Sequence, residues 1–189
     1  MSSRATAAMI VLGGLGTLAE CLAHQQSAAV NESTSSQRTA TTPSPVPKSC
    51  PITKPPVPPF VPPPPYPTKT DPNSFWFGTD KLWTHLPEGG TWSGLPHYTP
   101  SDPTFRQKLF FWREGYSWHT ESRPRLIVTG RRLDASAPPL VFDGANAGWQ
   151  QDQQHPFMVT GVNFPTLGCW ELTANYQGDR LTFVVWVAP

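Results

Sequence analysis

From Met158 onward, apolar and polar positions alternate with the period of a strand. Met158, Thr160, Val162 and Phe164 fall on one side, Val159, Gly161 and Asn163 on the other, and Pro165 ends the run. After the turn Pro165–Gly168, the segment Cys169–Tyr176 sets Trp170, Leu172, Ala174 and Tyr176 on one face and Cys169, Glu171, Thr173 and Asn175 on the other. Gln177–Asp179 reads as a glycine-containing hairpin loop leading into Leu181–Val187, a segment rich in β-branched and aromatic residues. That last segment is apolar on both sides: Leu181, Phe183, Val185 and Val187 on one, Val184 and Trp186 on the other. Both its faces should therefore be covered.

Upstream the pattern breaks into shorter pieces. Phe75–Gly78, Leu82–Pro87 and Thr91–Gly94 are too often interrupted by Gly and Pro to be helical, and Glu88–Gly90 reads as a turn. Arg106–Arg113 and Arg123–Leu133 predict strands, and Ala137–Phe142 another, with Asp143–Gly148 as the loop after it. Turn signals every ten to fifteen residues predict an all-β sandwich over residues 73–189.

The C-terminal pattern resembles the last three strands of bacterial immunoglobulin-like domains, in which a short turn and a Gly-x-aromatic-x-apolar step open the penultimate strand. Here that step is Gly168-Cys169-Trp170-Glu171-Leu172. The resemblance implies an antiparallel immunoglobulin-like sandwich. In that family the aromatic is usually a Tyr whose hydroxyl bonds back across the corner; Trp170 can offer an indole N–H instead. With its Trp-rich middle, the chain also looks like secreted bacterial proteins for which no activity is implied.

Composition divides the chain. Fourteen of its 24 prolines lie between Pro43 and Pro72, while all eight tryptophans lie at or after Trp76. The residues able to build a core therefore sit in the last ~115, enough for one sandwich. Met1-Ser-Ser-Arg4 and the apolar run to Ala19 match a secretory signal peptide over residues 1–24, cleaved after Ala23 or near Ala29. Lipidation at Cys21, after Leu18-Ala19-Glu20, is the alternative. Residues 25–49 lack apolar periodicity and predict a disordered tether. Residues 50–72 predict a stiff, disordered Pro-rich linker or strap, extending on the order of 90 Å if Pro43–Pro72 is polyproline II throughout. That stretch would be an extracellular spacer, with a ligand for an SH3-like domain as the other reading.

If Cys21 leaves with the signal peptide, Cys50 and Cys169 remain, an even count in an oxidising compartment. Cys169 points away from the Trp170/Leu172 side, so a partner must approach from outside. The expectation is a Cys50–Cys169 disulfide that straps the Pro-rich segment over the sheet, with Ile52, Val57, Phe60, Val61 and Tyr66 covering Val184 and Trp186; two unpaired cysteines are the competing reading.

Residues 73–189 carry nine Lys and Arg against ten Asp and Glu without a basic run, which argues against a nucleic-acid partner. Gly90-Thr-Trp-Ser93-Gly94 has one residue too many for a nucleophile elbow. His119 and Glu121 have strand spacing for two metal ligands, but two ligands make no site. Cys169 has no readable His partner, and no phosphate-cradling Gly loop occurs. No catalytic, metal or cofactor-binding residue is assigned and no cofactor is expected. Trp112, Tyr116 and Trp118 are the candidate binding aromatics, set against the reading that they are core or corner residues. The functional expectation is an exported, monomeric, non-enzymatic module binding an envelope protein or glycan, touching membrane only through a lipid anchor. An envelope hydrolase or metal-dependent enzyme with scattered residues is the alternative.

Overall fold

The computed structural model describes residues 45–97, 99–148 and 155–189. The expected signal peptide, Cys21 and most of the expected tether fall outside them. The described chain is all-β apart from a 3₁₀ turn at Glu88–Gly90. Its strands are β1 (Ser74–Gly78), β2 (Trp83–Pro87), β3 (Thr91–Ser93), β4 (Phe105–Trp112), β5 (Ile127–Arg132), β6 (Val141–Gly148), β7 (Phe157–Phe164), β8 (Gly168–Tyr176) and β9 (Asp179–Ala188). One sheet has the order β1-β2-β4-β7-β6, the other β3-β9-β8-β5.

The main core joins the inward faces of both sheets. Leu109, Phe111, Met158, Val162 and Phe164 from the five-stranded sheet meet Trp170, Leu172, Phe183, Val185 and Val187 from the four-stranded one. The alternation read from the sequence thus fixes which face of β7, β8 and β9 is inward. The β8–β9 hairpin turns on Gln177 (φ 50°) and Gly178 (φ 90°), a two-residue loop with both positive φ values whose twist matches the paired strands.

Four expectations are corrected. The sandwich is not wholly antiparallel: β3 pairs parallel to β9, through Thr91–Trp186, Trp92–Val187 and Ser93–Ala188. The turn at Glu88–Gly90 carries the chain from one sheet to the other, so β3 arrives running in the direction of β9. The predicted loop Asp143–Gly148 is part of β6. Its register against β7 shifts between Phe142 and Ala145, and Gly144 at φ 81° takes up the extra length, so turn-type residues serve here as a bulge. Ala137–Leu140 and Arg123–Leu126 lie outside the strands they were expected to join.

The last correction concerns the Pro-rich segment. From Cys50 to Tyr66 the expected strap is present, but it is placed rather than disordered and covers a different surface. Cys50 and Cys169 form the expected disulfide, with Cα atoms 5.6 Å apart. The Thr53 amide donates to the Val184 carbonyl at 2.9 Å, and the Val184 amide donates to Thr53 Oγ1 at 2.8 Å, continuing the edge of β9 where β3 stops. Ile52 packs on Gly90, where an added Cβ would lie 2.8 Å from the Ile52 Cβ, at a backbone φ of 62°. The strap then leaves this sheet. Phe60 and Tyr66 pack on Trp83 of the five-stranded sheet, while Val57 (95% exposed) and Val61 (53%) face solvent. The five apolar residues therefore do not act together on Val184 and Trp186, because the outer face of the other sheet presents a larger aromatic surface.

Candidate functional site

That surface follows from strand alternation. In β1, Phe75 and Phe77 pack toward the main core, which turns Trp76 outward; in β4, Leu109 and Phe111 face inward and Phe110 and Trp112 outward. Register then brings the outward residues together, Trp76 opposite His85 and Trp83 opposite Trp112. Tyr66, Trp76, Trp83 and Trp112 form a second buried cluster, flanked by Phe60, Phe110 and Phe157. The Tyr66 ring meets Trp83 edge-on at 4.9 Å, and its hydroxyl donates to the Arg113 carbonyl at 2.8 Å.

The strap's rings pack on Trp83, and Trp76 and Trp112 beside it are themselves nearly buried, while Phe110 and Phe157 are partly open. Beside the strap a groove of about 340 Å³ is floored by Trp76, Phe110, Trp112 and Phe157 and rimmed by Pro67, Lys69, Thr70, Asp71, His85 and His155. Trp76 and Trp112 cross at 86° with centroids 5.0 Å apart. His85 stands edge-on to Phe110 at 5.7 Å and to Trp112 at 5.6 Å. Burial among these rings lowers its pKa, against an opposing pull from Asp71, and so disfavours the charged imidazolium. The Trp76 indole N–H is buried with no hydrogen-bond partner among the described residues.

His85 and Phe110 also wall a smaller cleft of about 190 Å³. It opens because β2 and β4 pair only at Trp83–Trp112 and Thr84–Phe111. Thr84 Oγ1 donates to the Phe110 carbonyl at 2.7 Å and closes the near end. Further along the same outer face the character changes: Arg106 pairs with Asp143 at 2.7 Å, and Asn163 Nδ2 donates to Asp143 at 2.8 Å.

The three candidate aromatics do not share a platform. Trp112 belongs to the groove. Tyr116 is a core residue whose hydroxyl donates to the Glu121 carbonyl at 2.9 Å, and Trp118 stacks on His119 at 3.7 Å in the connection between β4 and β5. His119 and Glu121 part in the same way. The Glu121 carboxylate accepts hydrogen bonds from the Tyr176 hydroxyl and the Arg125 amide. Burial, and then this carboxylate, raise the pKa of Tyr176; burial, with the Glu121 charge behind it, pushes Tyr116 up to about 12. No cluster of three His, Cys, Asp or Glu side chains suited to a metal ion occurs among the described residues.

Trp76, His85, Phe110 and Phe157 were not singled out in the sequence. Their signal was legible: large aromatics on both faces of β1 and β4 mean two covered faces, the inference drawn for β9 alone. No family model matches this chain, and no curated protein or solved structure matches it either.

Proposed function

We propose that this chain is an exported, non-enzymatic module of the cell envelope that binds a protein or glycan partner through the aromatic groove. The observation that carries the reading is the groove itself: four aromatic side chains at its floor and a few polar groups at its rim, the usual make-up of a ligand site. The Cys50–Cys169 disulfide supports export, since such bonds persist in oxidising compartments. Among the described residues no helix is long and apolar enough to cross a membrane. A lipid anchor at Cys21 lies outside the described residues and stays the alternative to free secretion. The immunoglobulin-like reading has support at the corner before β8, where the Trp170 indole N–H donates to the Thr166 carbonyl at 3.0 Å. That is the bond a Tyr hydroxyl makes in the family this ending resembles.

The test is cosedimentation of the purified protein with an envelope fraction, comparing the wild type with Phe110→Ser and His85→Gln. Binding that weakens in both variants while their melting stays cooperative supports the groove. Equal binding by all three places the contact elsewhere and ends this reading of the site.

A further inference from the structure

The aromatic face is one continuous surface, and the chain already covers the Trp83 part of it, leaving Phe110 and Phe157 partly open. Phe60 and Tyr66, carried on a segment with prolines at 58, 59 and 62 to 65, dock on Trp83. The groove beside it is lined by further rings of the same sheet and begins next to Tyr66. Pro67 is part of its rim, and His155, also on the rim, lies 5.5 Å from the Tyr66 ring. We propose, resting on the binding reading above, that the groove takes an extended proline-rich peptide segment of a partner protein, laid beside the strap as a second copy of the same kind of contact.

The chemistry favours this class. A proline-rich strand carries carbonyl acceptors but few N–H donors, and its stiffness lowers the entropy lost on docking into an aromatic-lined groove. The site offers the matching set: ring faces and edges for the pyrrolidines, and a donor for the carbonyls. The exposed Lys69 ammonium stands at the rim as that donor. At the rim, His85 stands edge-on to Phe110 and Trp112, and its burial disfavours a charge beside the rings that the peptide must dry. A sugar would bring as many donors as acceptors, and Asp71 is the one carboxylate among the groove's lining residues.

The test is titration of the full exported chain with acetylated decaproline, a proline-rich decapeptide carrying one Tyr, a Gly/Ser decapeptide and a panel of soluble envelope glycans, followed by tryptophan fluorescence and by indole N–H resonances. The expected result is saturable binding of the proline peptides alone, shifts at Trp76 and Trp112, and affinity at least tenfold weaker in Phe110→Ser and several-fold weaker in Lys69→Ala. Lys69 is exposed, so that second variant reports on the site without disturbing the fold. Glycan binding that depends on Phe110, without peptide binding, overturns the peptide class and leaves the binding module standing. Saturable peptide binding with shifts confined to other tryptophans overturns the location. No binding of any probe, together with no cosedimentation with envelope, overturns both proposals.

Discussion

Thr53 and Val184, 131 positions apart, exchange two hydrogen bonds, one through the Thr53 amide and one through its hydroxyl. A residue of the Pro-rich segment thus behaves as a stub of strand beside β9, and its side chain supplies an acceptor that a neighbouring backbone would otherwise provide. Thr53→Val keeps the shape and removes that acceptor. Leaving the half-buried Val184 amide unsatisfied should cost about 1–3 kcal/mol and speed its hydrogen exchange. Unchanged exchange at Val184 would show that the stub contributes nothing to the edge.

The disulfide closes a loop with a sequence separation of 119. Replacing both cysteines with Ala should lower the unfolding free energy by up to about 5 kcal/mol in the chain-entropy view, with measured values often smaller. Non-reducing mass spectrometry of the exported protein is the direct check. Free thiols at both positions, or a dimer joined through Cys50, would refute the crosslink.

Phe183 is 1% exposed at the centre of β9, meeting the Trp92 ring at 6.5 Å. Phe183→Ala should cost roughly 3–5 kcal/mol, read as a lower thermal midpoint. A midpoint within error of the wild type would make this strand peripheral to stability.

Tyr116 and Tyr176 predict an alkaline limit. Both pKa values are raised from 10.0, so between that value and the folded ones the unfolded chain loses protons that the fold retains. Their stabilisation is full below pH 10 and declines as the pH climbs toward 12, the value Tyr116 approaches. Denaturant midpoints followed upward from neutral pH should fall more steeply for the wild type than for Tyr176→Phe. Parallel curves would remove Tyr176 from the alkaline transition.

How much of this was legible before the structure depended on how local the physics was. The inward faces of β7, β8 and β9 follow from alternation alone, and the outward direction of Cys169 with it. The bulge in β6 was not legible, because Asp143 and Gly144 look alike whether they end a strand or bend one. Nor was the parallel pairing of β3, which depends on where a 3₁₀ turn delivers the chain. The groove was missed for a different reason: Trp112 was grouped with Tyr116 and Trp118 by sequence nearness, whereas register groups it with Trp76, His85 and Phe157 from three other places in the chain.

The strap is made first and secured last. In a chain synthesised from its N-terminus, Cys50 appears before any residue of the sandwich, yet its partner lies on β8 and Thr53 waits for β9. Loop-closure entropy of that size must be met before either contact gives anything back. Phe60 and Tyr66 rest on Trp83 of the five-stranded sheet, whose strands are all made before Cys169, but until the crosslink forms no covalent bond tethers the strap there. Until Cys169 is oxidised, Cys50 is a free thiol open to exchange with any other, and the rate of disulfide formation sets how long that exposure lasts.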